Sequence, residues 1–61
     1  MALYELTISD GRIVRVICEN GSDYAVTINE TVKEFHKHFA NAVAAADSLV
    51  KGEEFYLRLA R

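Results

Sequence analysis

The stretch Thr31–Lys51, TVKEFHKHFANAVAAADSLVK, constrains the fold more than any other part of this chain. Val32, Phe35, Phe39, Ala42, Ala46 and Leu49 recur at spacings of three and four, and Val43 and Val50 widen the stripe. That period marks an amphipathic helix, with Lys33, Lys37, Asn41, Ser48 and Lys51 on its opposite side. Thr31 and Glu34 fit a capping box at its start. Lys51 suits the negative end of the helix dipole, and Gly52 suits a left-handed residue that ends the helix.

The flanking segments alternate with a period of two. Tyr4, Leu6 and Ile8 share one face, as do Val14, Val16 and Cys18, and then Tyr24, Val26 and Ile28. Asp10-Gly11 and Asn20-Gly21 separate them, which predicts a three-stranded antiparallel meander. A two-residue first loop would put Arg15 opposite Leu6 in the core. A three-residue loop, Ser9-Asp10-Gly11, pairs Leu6 with Val14 and Tyr4 with Val16 instead. By the same logic Glu19-Asn20-Gly21 pairs Val16 with Tyr24 and Val14 with Val26. Both loops then resemble a type I turn followed by glycine at positive φ, and the buried face fixes the register.

Glu53–Arg61 alternates again, with Phe55, Leu57 and Leu59 against Glu54, Tyr56 and Arg58, which predicts a fourth strand. The expected architecture is therefore α+β, one two-layer domain over 1–61 in the order β-β-β-α-β. A meander and a C-terminal strand, paired beside either the first or the third strand, pack against one long helix. A 20-residue helix is ~30 Å long and a seven-residue strand ~23 Å, so about a turn should overhang the sheet. Ala40 and Ala44 lie off the main stripe and would admit a second helix closely.

Chemistry-bearing residues are sparse. His36 and His38 point apart on a helix and cannot share a metal as an i, i+4 pair can. Cys18 is expected on the core face opposite Ser22, as a small apolar side chain. No serine has a base nearby, and no phosphate loop or paired carboxylate signature is present. The expectation is a non-enzymatic protein with no cofactor and no metal.

Composition narrows the partners. Seven basic and nine acidic residues leave a net charge of -2, unlike a strongly basic nucleic-acid binder. Chains this short usually need a staple, and a single cysteine excludes an internal disulfide. Oligomerisation remains, so a homodimer is expected. No apolar run reaches the ~20 residues that span a bilayer, and the first residues lack the pattern of a signal peptide. The expected setting is the cytoplasm of a bacterial or viral system, with no membrane partner.

The outer sheet face carries the functional expectation. Its rows would read Leu3–Ile17–Asp23, Glu5–Arg15–Ala25 and Thr7–Ile13–Thr27, with Tyr56 and Arg58 joining from the fourth strand. Glu5 and Arg15 can pair, contributing about 0.2–1 kcal/mol. Leu3, Ile13 and Ile17 would form apolar surface that no element covers. These residues, with Arg15, Tyr56, Arg58, Ala40 and Ala44, are the candidate contacts of a protein-binding module. It would act as a homodimer or on a partner, through the sheet face, a sheet edge or the overhanging helix. The alternative is an RNA-binding sheet using Tyr56, Arg58, Arg15 and Arg12 for stacking and phosphate contact. Gly21-Ser22-Asp23-Tyr24, ahead of a helix and then Ser48, Gly52 and Phe55, resembles the KTSC domain, a short module also found at the C-terminus of some lysyl-tRNA synthetases. That resemblance implies RNA binding. Val26 departs from it, standing where that family favours a second tyrosine, and so does the length of the helix.

Overall fold

A computed structural model describes residues 2–18 and 20–60. Its elements are β1 (Ala2–Thr7), β2 (Ile13–Cys18), β3 (Tyr24–Ile28), β4 (Thr31–His36) and α1 (Phe39–Leu59). The strands form one antiparallel sheet in the order β1-β2-β3-β4, and α1 crosses one face of it. The α+β class and the meander agree with the sequence reading, but the element order does not: the helix comes last.

Two corrections concern where the helix begins and where it ends. Thr31–His36 is a strand, because Asn29 and Glu30 adopt φ of 47° and 70° and turn the chain back on itself in two residues. Ile28 then pairs with Thr31, as in a primed hairpin turn. Asn29 holds this corner to β2: its N–H donates to the Ile13 carbonyl at 2.9 Å, and its Oδ1 accepts from the Ile13 N–H at 3.0 Å. Opposite Val26 and Thr27, β4 holds an irregularity at Lys33, so Val32 and Phe35 share a face despite a spacing of three. A bulged strand thus imitates helical period.

The second correction is at the C-terminus, where Glu53–Leu59 continues α1 and the expected C-terminal strand does not form. Gly52 does not end the helix. It faces away from the sheet, where an added Cβ would meet nothing within 4 Å, and its φ is not positive. Glycine in a helix costs about 1 kcal/mol, too little to stop one that tertiary packing sustains. Leu57 extends the stripe begun by Ala42, Ala46, Leu49 and Val50 onto the core. The Thr31–Glu34 capping box does not exist either. The N-cap is His38, without a side-chain cap bond, and the C-cap is Ala60.

The first hairpin has the expected register, with Tyr4 opposite Val16 and Leu6 opposite Val14. Ile8 and Arg12 close the three-residue loop, and Gly11 has φ of 100°. The second keeps the expected face but shifts by two residues: Val16 meets Val26, Val14 meets Ile28, and Cys18 meets Tyr24. Residues 19–23 form its longer loop, in which Glu19 lies outside the described residues. Asn20 Oδ1 organises it by accepting from the Ser22 and Asp23 amides and the Ser22 hydroxyl. Gly21 has φ of 85°, as expected.

The core lies between the sheet and α1. Ile8, Val14, Val16 and Val26 are fully buried beneath Ala42 and Ala46. The two alanines let the helix backbone sit close over the β-branched residues. Tyr4 donates its hydroxyl to Asp47 at 2.8 Å, and the rings of Tyr24 and Phe39 pack 5.6 Å apart, fixing the helix at two points.

Candidate interaction surface

Among the described residues, no element lies over the face of the sheet turned away from α1. Its rows are Ala2–Ile17–Ala25–Phe35 and Glu5–Arg15–Thr27–Val32, followed by Thr7–Ile13. The register of the second hairpin therefore replaces Asp23 by Ala25 in the first row and Ala25 by Thr27 in the second. Leu3 sits at an irregularity of β1 beside the first row. Phe35 is 57% exposed, Leu3 48% and Val32 40%, while Ile13 and Ile17 are half-buried.

Side-chain size shapes this face. Ala25 and Thr27 on β3 are buried although nothing lies above them. Ile17 and Phe35 flank Ala25, and Arg15 and Val32 flank Thr27. The small residues of β3 thus form the floor of a shallow apolar trough, with walls from β2 and β4. In the trough's wall, Arg15 Nε donates to Glu5 Oε2 at 2.7 Å, so this guanidinium is already matched. Phe35 and Val32 belong to this surface, whereas a helical period over Thr31–Lys51 places both in the core. The Ile28-Asn29-Glu30-Thr31 corner was the available signal, since asparagine tolerates left-handed backbone.

Tyr56 and Arg58 require correction: both lie on α1, not on the sheet. Tyr56 is 68% exposed, beside Phe55 and Leu59, which are 59% and 67% exposed. They belong to the end of the helix that overhangs. The molecule is 41 Å in its longest dimension, against ~20 Å for a six-residue strand. Ala40 and Ala44 are exposed on the same helix, as expected for positions off the packed stripe.

Other singled-out residues are also placed differently. Cys18 is exposed at the end of β2 and pairs with Tyr24, not Ser22, because the longer second loop moves its partner. His36 is on β4 opposite Tyr24, with Nε2 against Glu34 Oε1. His38 caps the helix start. Arg12 is held by Asp10 and Glu53, each at 2.7 Å, which ties the first hairpin turn to α1. Glu53 and then Asp10 raise the guanidinium's pKa, while the Arg12 amide and side chain hold Asp10 below the usual carboxylate range. The hydrogen bond to Asp47, then desolvation, raises the Tyr4 phenol.

Ser9, Glu54, Leu57 and Arg58 line a cleft of about 320 Å³ where the turn meets the helix end. The Ser9 amide and hydroxyl both donate to Glu54, a turn-to-helix tether. Among the described residues, no group of three His, Cys, Asp or Glu side chains is placed to hold a metal ion. Among them, too, no helix is long and apolar enough to cross a membrane.

Comparison with known proteins finds no family model, no curated protein and no solved structure that matches this chain. The residues behind the KTSC resemblance fall differently from that pattern. Ser48, Gly52 and Phe55 all lie on the outer side of one helix. Of the four residues suggested for RNA contact, two have left the sheet, and Arg12 and Arg15 are paired with carboxylates.

Proposed function

We propose that this chain is a small non-enzymatic protein-interaction module that docks a partner protein on the outer face of its sheet. One observation carries the reading: a four-stranded sheet roofed on one side only, with Leu3, Ile13, Ile17, Val32 and Phe35 around a floor of small side chains on the other. A contiguous apolar patch of this kind is characteristic of an interface, whereas isolated exposed apolar residues are ordinary. The Glu5–Arg15 pair supplies polar definition within it. Phe35, the largest exposed apolar side chain on the face, is the anchor expected to contribute most. The lone thiol of Cys18 accords with a cytoplasmic setting.

The test is recovery from native-host lysate with nuclease present, comparing wild type, Phe35→Asp and Phe55→Asp. A protein partner retained by wild type and Phe55→Asp, but lost with Phe35→Asp, is the expected result. Nuclease-sensitive recovery would favour the nucleic-acid alternative, and equal recovery by all three proteins would contradict the sheet-face reading.

A further inference from the structure

On the opposite side of the molecule, α1 presents a second surface that the sheet-face reading does not use. Its solvent side runs through Ala44, Ser48, Gly52, Phe55 and Leu59. The residues in the first half of that line are small, and those in the second half are large and mostly exposed. One shoulder of the same face carries Asp47, Lys51, Glu54 and Arg58, alternating in sign at spacings of four, three and four.

We infer that this helix face binds a second copy of the chain in an antiparallel, two-fold arrangement. An isologous contact must be complementary to itself, and this one is so in two independent respects. With the axis near Gly52, Phe55 meets the partner's Ser48 and Leu59 meets the partner's Ala44, so large side chains enter positions left open by small ones. Read backwards, the shoulder is +, −, +, −. Asp47 therefore faces the partner's Arg58, and Lys51 faces the partner's Glu54. A parallel two-fold arrangement would instead set this shoulder against the other side of the partner's helix, where Asn41, Ala45 and Tyr56 offer no charge. Lys51 makes no ion pair within its own chain among the described residues, and neither does Arg58. Asp47 and Glu54 accept from Tyr4 and Ser9, and each carboxylate keeps further lone pairs for the partner.

The pairing also gives the overhanging end of α1 a surface, since the last turns of each helix lie against the first turns of the other. The contact strip is one helix wide and about 23 Å long. It falls short of the ~800 Å² per partner of a standard interface, so self-association with a dissociation constant on the order of 10–100 μM is expected. Both sheet faces stay outward in such a dimer, which would make any sheet-face docking bivalent.

Sedimentation equilibrium from ~10 μM to ~1 mM tests this, on that expected affinity. Wild type should dimerise, more weakly at 1 M than at 0.1 M salt. Lys51→Gln combined with Arg58→Gln should weaken dimerisation at least tenfold, with a nearly unchanged melting curve at concentrations where the wild type is monomeric. In a Cys18→Ser background, Gly52→Cys should form an intermolecular disulfide, and Lys33→Cys should not. Phe35→Asp should leave the association intact. A monomer at the highest concentration overturns the inference. So does a dimer broken by Phe35→Asp but not by the helix variants, which would place self-association on the sheet face instead.

Discussion

Glu30 occupies left-handed backbone at φ of 70°, where a residue with a Cβ is strained by roughly 1–2 kcal/mol. The hairpin between β3 and β4 needs that conformation because a two-residue loop must match the twist of its strands. Glycine would relieve the strain, although its greater freedom in the unfolded chain returns part of the gain. Glu30→Gly should therefore raise stability by roughly 0.5–1 kcal/mol in urea denaturation. Gly11→Ala, at φ of 100°, should lower it by about 1 kcal/mol. The two glycine turns were legible from their dipeptides, whereas the third turn was signalled by Asn29 alone, since glutamate gives no warning of positive φ. Tyr4 supplies a pH signature at the same scale. Its phenol is raised by Asp47, so the folded state holds the proton more tightly than the unfolded one. That contribution is complete below the ordinary value of about 10 and is lost as pH rises through the raised value. Tyr4→Phe should flatten the stability curve above pH ~10 relative to wild type. Asp10, lowered by Arg12, acts at the other limit: its contribution is present above about pH 4 and lost as pH falls further.

Among the elements, β4 decided how much of the fold could be read in advance. Val32 and Phe35, three apart, joined the genuine helical series of Phe39, Ala42, Ala46 and Leu49 without a break, because the residue at Lys33 offsets the strand's alternation. From sequence, a bulged strand and a first helical turn are indistinguishable by period; only the turn before them differs. At the other end, the apolar residues of Glu53–Leu59 fit both periods. The helix prevailed because Leu57 could reach the core while α1 was already formed. Strand parity, by contrast, was robust: Ile8, Val14, Val16 and Val26 are buried on the expected face even where the pairing moved by two, with Cys18 at the end of β2 as the exception. Parity and bulge together give an element-level prediction. Deleting Lys33 leaves the pairing of β3 and β4 on both sides of the irregularity unchanged, so the protein should fold with its near-native spectrum. Deleting Arg15 puts Val14 and Val16 on opposite faces of β2 and should abolish cooperative unfolding. A folded Arg15 deletion, seen by circular dichroism and heteronuclear NMR, would mean that burial does not set the register.

At the scale of the whole molecule, a 61-residue chain uses one helix to cover one side of a four-stranded sheet. The helix covers that side and extends beyond it, leaving apolar groups at its end and across the far face of the sheet. Leu3, Ile13 and Ile17 could be placed on that far face from alternation alone, and the Glu5–Arg15 pair with them. Phe35 and Val32, which complete the trough, became visible only once β4 was in place. The most direct measurement of the sheet-face proposal is site-specific photo-crosslinking in the native host, with the reactive group at position 35 and, as a control, at position 33 on the same strand. A discrete adduct with another protein from position 35, absent from position 33, is the expected result. No adduct at 35, or identical adducts from both positions, would contradict docking on the open face of the sheet.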